Sequence, residues 1–403
     1  MYYDAASIAH WLTGTVPNAA AIPAIVEAFT RLLGRAVTAP ELGWPDPGPV
    51  AVNPWDGDPV AWVTRLGRDD MLNRRTVLTA GLYTLAALNL PPTPAAAARA
   101  GQPRRAGGGD VERIRAMTAQ FADADSLFGG GHARTAVASY LVAEVTPLLH
   151  GTTGAARPAL FTAASQLAYL AGFMANDACM AGLAQRYYIQ AVRLADEAGD
   201  PVAKATALRG LALQAVEIGH PDRAVHLAEA AAAALDDSCP PRVRAWMNGM
   251  RANAYAAGGD TRAAIAALTQ AEGQVERAES PPESQWTGAY RRASLEHDTG
   301  TTLAALSDLA TGERHMVDSI RVRRGGERRS RVLITSRLAG MQLRQRRVDE
   351  AAATVLGMRA DLPLVSSARV AKELSALRAG WTGARSPGSR VEEADRLIAS
   401  VTR

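Results

Sequence analysis

Residues 252–271 read ANAYAAGGDTRAAIAALTQA, and they decide the fold expected for most of this 403-residue chain. Ala252 is followed by a tyrosine three positions later, by the turn-forming Gly258-Gly259-Asp260, and by Ala264, twelve positions after the first alanine. Small residues at these two points let antiparallel helices cross closely, and the glycines reverse the chain between them. The stretch therefore predicts a helical hairpin.

The same arrangement recurs along the chain, with frames that start 40 to 46 residues apart. Recurrence at a nearly fixed spacing is the signature of a repeat architecture, so we expect a solenoid of TPR-like helical hairpins. The alternative is a helical bundle without a true superhelix. Two further frames fit well and one fits more loosely: Ala212, Gly219-His220-Pro221 and Ala224; Ala339, Arg346-Arg347-Val348 and Ala351; and, loosely, Ala293, Glu296, Gly300, Ala305 and Leu309.

Composition agrees with an all-α fold. Hydrophobic residues make up 48% of the chain but aromatics only 5%, whereas strands favour β-branched and aromatic side chains. The net charge of +4 is weak support for nucleic-acid binding, which must rest on a local motif. Cys179 and Cys239 form no zinc or disulfide pattern, and no catalytic or nucleotide-binding motif is present. We expect no enzyme activity, no metal and no cofactor.

The chain divides into three parts. Residues 1–44 form a compact helical unit, residues 45–109 a Pro- and Gly-rich linker with an apolar helix over 73–90, and residues 110–403 the helical repeat domain, which ends with a helix near 390–401. Trp55 and Trp62 are expected to pin the linker onto a neighbouring surface.

The apolar run after Arg74-Arg75 has two interpretations. It is similar to a twin-arginine export signal, but its length of about 15 residues is short for a membrane span. It also begins some 70 residues into the chain, whereas export signals are N-terminal. We therefore favour a buried connecting helix and a cytoplasmic protein.

The N-terminal unit carries the motif that bears on function. Residues 5–17 (AASIAHWLTGTVP) predict a short helix that ends at Gly14, and residues 20–34 predict a second, apolar helix. Residues 38–41 (TAPE) fit a capping box that opens a last turn.

This run resembles the second half of a phage-repressor-type (XRE) helix-turn-helix domain. The resemblance implies that residues 4–12 are the recognition helix, and that Ile8 and Trp11 anchor it in the core. It also implies that four side chains contact DNA: Tyr3, Asp4, Ser7 and His10. It is carried by Ser7, Ile8, Trp11, Gly14 and Pro17, and by Gly34, Arg35, Val37, Thr38, Glu41, Leu42 and Gly43.

The resemblance departs from the pattern in two ways. Pro17 comes one residue early, and the first two helices of the domain are missing, so either the true start lies upstream of Met1 or the domain has decayed. DNA binding by this form is expected to be weak. Residues 167–200 and 329–352 also resemble the TPR-like units of actinobacterial XRE–TPR regulators, which carry an internal Arg-Arg-x-x-Leu segment like that at Arg74.

Polar and aromatic side chains on the repeats are the candidate partner contacts. Tyrosine and arginine on the inner helices of a solenoid suit ligand contacts and inter-helix packing equally. The occupant would be a peptide, a small ligand or a protein, and a homodimer is an alternative. The candidates are Gln185, Arg186, Tyr187, Asn253 and Tyr255.

Two other runs receive structural interpretations. Gly129-Gly130-Gly131 precedes His132 without a following GK[ST], so we interpret it as a turn. The basic stretch 314–331 could touch phosphates, but a solvated helix-loop-helix face is the commoner outcome.

Together these features predict a sensor-type transcriptional regulator, in which the array binds a partner and controls the helix-turn-helix end. The alternative is a protein-interaction scaffold that has lost DNA binding.

Overall fold

The computed structural model describes residues 54–72, 107–236, 238–278, 290–381 and 388–402. Within the first 44 residues it describes 9–11, 13–17, 22, 25, 26, 29 and 39–44. The apolar helix expected over 73–90 lies outside these ranges. The described residues contain helices and turns but no strand, and none of their helices is long and apolar enough to cross a membrane.

Sixteen α-helices occur in the described ranges. A π-helical segment, Leu141–Val145, joins α3 to α4, and 3-10 helices span Pro40–Leu42 and Leu362–Leu364. The α-helices are α1 Pro59–Leu72, α2 Gly108–Phe128, α3 Gly130–Tyr140, α4 Thr146–Gly151, α5 Ala156–Asp177, α6 Ala181–Ala198, α7 Pro201–Glu217, α8 Pro221–Ala233, α9 Pro241–Ala257, α10 Thr261–Arg277, α11 Arg292–Ala305, α12 Leu309–Arg321, α13 Arg328–Arg344, α14 Val348–Leu356, α15 Ala368–Trp381 and α16 Ser389–Val401.

From α5 onward, helices pack in sequence-adjacent pairs: α5 with α6, α7 with α8, α9 with α10, α11 with α12, and α13 with α14. The first helices of neighbouring pairs also pack on one another, as α7 does on α9 and α9 on α11. The prediction of an all-α helical-hairpin solenoid is confirmed.

The hairpin turns follow from local chemistry. Gly219 and Gly259 adopt the left-handed φ values of 83° and 82° that end α7 and α9. Asp260 then caps α10 by accepting a hydrogen bond from the Ala263 amide at 2.9 Å. Asp200 and Asp308 cap α7 and α12 in the same way. The turns that the sequence indicated at 219–221, 258–260 and 346–348 are therefore present.

The loose fourth frame was misplaced. Gly300 lies in the middle of α11, and the turn follows at Leu306–Asp308. Gly300 is itself the crossing residue, and its partner twelve positions later is Gly312. A Cβ on Gly300 would lie 2.9 Å from the Gly312 carbonyl oxygen. The frame that starts at Ala293 requires Gly300 to form a turn, whereas Gly300 permits close helix approach.

Gly300→Ala is therefore expected to lower the free energy of unfolding by about 1–2 kcal/mol, because the added methyl group forces α11 and α12 apart. Gly340→Ala is the matched control. Gly340 also lies inside a helix, but nothing approaches its missing Cβ within 4 Å, so alanine there should stabilise. Urea unfolding of both variants measures the difference. Equal stability changes would contradict this account of the crossing.

Residues 59–72 of the expected linker form a helix, α1, that belongs to the array. Val60, Val63 and Leu66 of α1 are buried in the main apolar core, and Trp55 packs against the same core, as expected for that residue. Asp58 caps α1 by accepting a hydrogen bond from the Val60 amide at 3.0 Å. An Asp-Pro start followed by apolar residues three apart is a helix signal, which the Pro- and Gly-rich stretch before it obscured.

Candidate functional site

The described residues of the N-terminal unit fit a compact fold. The rings of Trp11 and Trp44 meet edge to face with centroids 6.3 Å apart, which links the first helical turn to the last. Ile22 and Ile25 are buried. Gly14 and Gly43 have left-handed φ values and reverse the chain at the two predicted positions.

His10 lies in this unit, on the helical residues 9–11, and its side chain is exposed. The other predicted DNA contacts, Tyr3, Asp4 and Ser7, lie outside the described residues, as does Thr38. The predicted capping box depends on Thr38 and therefore lies outside the described residues. The described 3-10 helix Pro40–Leu42 begins directly after Ala39.

Two of the predicted partner contacts, Arg186 and Tyr187, lie where α6 meets α1. Tyr187 is fully buried, and its hydroxyl donates a hydrogen bond to Asp70 of α1 at 3.1 Å. Burial raises the pKa of Tyr187 above its ordinary value. Gln185 is also buried, and Arg186 is half-buried. These side chains occupy an internal helix contact.

The segment that precedes α1 is fastened to α6 through its backbone. Gln190 and Arg193 donate hydrogen bonds to the Pro54 carbonyl at 2.9 and 3.0 Å, and Arg193 also reaches the Asp56 carbonyl at 3.3 Å. Sequence reasoning missed both residues, because their partners are carbonyls more than 130 positions away. Residues 54–72 are thus attached to the first hairpin by hydrogen bonds.

The other two predicted contacts lie on α9, away from α6. The Asn253 side-chain oxygen accepts a hydrogen bond from Thr302 of α11 at 3.1 Å. The Tyr255 hydroxyl donates to Glu229 of α8, and Arg251 lies over its ring. The five candidates therefore lie on two hairpins, each engaged with neighbouring helices, and their role toward a partner remains a prediction.

The last repeats of the array pack against its first helices. α13 packs against α2, and α15 packs against α5, so the two ends of the solenoid meet. The apolar core of α13–α16 is nevertheless separate from the main core of the first repeats. Polar and charged groups dominate this contact, which we call the closure: residues 329, 337 and 366–369 against residues 125–131, 176, 177 and 217.

Glu217 of α7 is the central acid of the closure. It pairs with Arg369, lies 3.5 Å from the Arg337 guanidinium, and accepts a hydrogen bond from Asn176 at 2.9 Å. Burial would raise the pKa of Glu217, but Arg369 and Arg337 more than offset this and hold it below its usual value. The pair is therefore charged at neutral pH.

Asp125 of α2 forms a second pair, with Arg329 at 3.0 Å. Both side chains are buried, and Arg329 also lies over the ring of Phe173 at 4.9 Å. Burial raises the pKa of Asp125 to about 6; Asp177 adds to the shift, while Arg329 opposes it. Asp125 therefore changes charge close to neutral pH.

The glycine run is more than a turn. Gly129 does reverse the chain, with φ of 88°, but Gly129 and Gly131 also receive the segment before α15, and Gly130 packs against α5. The Gly131 amide donates to the Ser366 carbonyl at 3.1 Å, and Asp177 accepts from the Gly130 amide and the Ser367 hydroxyl, both at 2.9 Å. A Cβ on Gly129 or Gly131 would lie 2.5 Å from an atom of Ser366, and a Cβ on Gly130 would lie 2.5 Å from the Met174 carbonyl oxygen. Only glycine fits here.

The basic stretch 314–331 is held by acidic partners within the chain. Arg323 pairs with Glu327, and Arg328 and Arg331 both pair with Asp361. Arg329 is the closure residue already described. These ion pairs favour the structural interpretation over phosphate binding.

An open groove of about 580 Å³ lies between α8, α9 and α10. No acidic residue occurs among the described residues that line it. The lining consists of Arg244, Arg251 and Arg277, the amides Asn248, Gln270 and Gln274, and Ala232, Leu235, Met247, Thr269 and Gly273.

Comparison with known families identifies one segment. Residues 1–45 match the family model of the SP15 N-terminal domain. The matched range ends one residue beyond the unit predicted over 1–44. No curated protein and no solved structure matches the chain.

Proposed function

We propose that this chain is a sensor-type transcriptional regulator of the cytoplasm, without enzyme activity, in which a TPR-like array controls an N-terminal helix-turn-helix unit. One observation carries the proposal: residues 54–72, which follow the N-terminal unit closely, are fastened to the first hairpin by Tyr187, Gln190 and Arg193. A change in the array would therefore be transmitted to the segment nearest the DNA-contacting end.

The array would exist in two arrangements, closed when the closure forms and open when it does not. Its two ends meet through buried charges, and buried ion pairs give little net stability because desolvation offsets their attraction. An open array would expose the surfaces that the closure covers to a peptide, a small ligand or a protein, or to a second copy of the chain. A partner that binds the open form better would shift the population toward it.

DNA binding is the first consequence to test. His10→Ala should weaken specific binding by about 1–3 kcal/mol, or about 5- to 150-fold, if the side chain reads a base edge. Band-shift titrations on duplex DNA from the protein's own promoter measure this, with competitor DNA to remove nonspecific binding. His226→Ala is the matched control, because His226 is an exposed histidine of the array and should leave affinity unchanged.

Equal losses in both variants would show that His10 does not contact the operator. Absence of specific binding by the unaltered chain, even at about 50 mM salt where phosphate contacts are strong, would refute the regulator. That result would favour the alternative function, a protein-interaction scaffold.

A further inference from the structure

The groove between α8, α9 and α10 stands apart from the closure and from the N-terminal unit. Its volume of about 580 Å³ lies in the range of small-molecule sites. Of the eleven described residues that line it, three are arginines and none is acidic, although Glu229 pairs with Arg251 from beside the groove. The chain as a whole is almost balanced, with 44 basic and 40 acidic residues. This groove is therefore locally biased toward anions.

Two of the arginines are held in place by groups beside the groove, whereas Arg277 is exposed. Arg251 donates to Glu229 at 2.8 Å, to the Asn248 side-chain oxygen at 3.1 Å and to the Gln270 side-chain oxygen at 3.3 Å. Arg244 donates to the carbonyls of Cys239 and Asp236 after the end of α8. Arginines fixed in this way lose little conformational entropy when a ligand binds.

The amides extend the recognition surface. Since the side-chain oxygens of Asn248 and Gln270 accept from Arg251, their NH2 groups remain as donors. Met247, Leu235 and Ala232 supply an apolar floor. Guanidinium groups, amide donors and an apolar floor together suit a carboxylate or phosphate group attached to a less polar body.

We propose that this groove binds a small oxyanion ligand, with its carboxylate or phosphate on Arg251 and Arg277 and its body on Met247. As an effector site, the groove rests on the regulatory function proposed above, whereas anion binding itself does not. Gly273 keeps the site open, because nothing lies within 4 Å of the position of its missing Cβ.

Isothermal titration calorimetry of the full chain tests the proposal with four probes. They are inorganic phosphate, adenosine monophosphate, acetylated tetra-alanine with a free carboxylate, and the amide of that peptide. We expect saturable binding of the monophosphate or of the free-acid peptide and none of the amide. Tighter binding of adenosine monophosphate would indicate a phosphate ligand. Tighter binding of the free-acid peptide would indicate a carboxylate ligand.

Three variants locate the site. Arg277→Gln and Gln274→Glu should each weaken binding about tenfold or more, by removing a cation and by adding a repelling carboxylate. Gly273→Leu should abolish binding by filling the groove. Arg262→Gln is the matched control, because Arg262 is an exposed arginine of α10 outside the groove and should have no effect. Circular dichroism confirms that each variant is folded.

Absence of binding by all four probes at millimolar concentration would overturn the proposal, and so would binding that survives both Gln274→Glu and Gly273→Leu. Anion binding without any specific DNA binding would leave the groove assignment intact and refute the regulator. DNA binding without anion binding would do the reverse.

Discussion

Arg369→Ala is expected to lower the free energy of unfolding by about 3 kcal/mol, because it leaves Glu217 buried with an incomplete set of partners. Arg337 and Asn176 still contact Glu217, which keeps the cost at the lower end for a broken buried pair. The loss should also separate the two ends of the array. Urea unfolding gives the first quantity, and the radius of gyration from small-angle X-ray scattering gives the second.

Two further variants separate loss of a charge partner from loss of packing. Arg321→Ala removes an arginine that is 74% exposed and paired only along its own helix, so its cost should stay below about 0.5 kcal/mol. The double variant Arg369→Met with Glu217→Gln removes both charges and should recover much of the stability lost in Arg369→Ala. If the double variant is as unstable as the sum of its single changes, the pair does not act as a coupled unit.

The closure also explains what the sequence could and could not predict. A hairpin is local: Ala252, the turn at 258–260 and Ala264 lie within a few turns of one another, so their spacing reports the crossing. Arg329 and Asp125, by contrast, are 204 positions apart. Their pairing depends on the curvature accumulated over several repeats, which no local pattern encodes.

The glycines show the same limit more sharply. Gly258 and Gly259 form a turn, as predicted, whereas Gly300 and Gly131 allow close approach of another segment. The sequence does not distinguish these roles unless the frame is known. For Gly300, the small residue twelve positions later was an available signal. For Gly131, the neighbouring atoms belong to Ser366, and nothing in the sequence indicated that contact.

The predicted partner residues illustrate a related difficulty. Tyr187 lies beside an arginine in a candidate inner helix, and this chemistry suits both ligand binding and packing. In the structure Tyr187 contacts Asp70 of α1, a helix that the Pro- and Gly-rich composition of the linker did not indicate. A polar aromatic residue becomes evidence for a ligand only when the elements that cover it are known.

The second large effect concerns pH and comes from two buried groups with opposite behaviour. The pKa of Asp125 is raised to about 6, so the folded chain binds a proton that the unfolded chain has released. This group therefore adds stability as pH falls from 7 to 4, by about 2 kcal/mol. Burial lowers the pKa of His297 to about 4, with Arg337 and Arg323 adding to the shift while Asp298 opposes it.

His297 has the opposite effect on stability and lowers it as pH falls. Between pH 6.5 and 4 the unfolded chain binds the proton on this histidine and the folded chain does not. About a fifth of the His297 side chain is exposed, so solvent reduces the expected loss of stability to about 2 kcal/mol over the same range. The two contributions nearly cancel in the unaltered protein, and its stability should respond weakly to both groups.

Single variants separate the contributions of Asp125 and His297 to the pH dependence of stability. Relative to the unaltered protein, Asp125→Asn should become less stable by about 2 kcal/mol between pH 7 and pH 4, whereas His297→Asn should become more stable by a similar amount. Urea unfolding at several pH values gives each difference, and comparison with the unaltered chain removes contributions from acids that interact with neither Asp125 nor His297. Slopes of the same sign in the two variants would contradict the assignment. Opposite slopes would show that the closure and the α11 histidine exert opposing effects on the pH dependence of the same array.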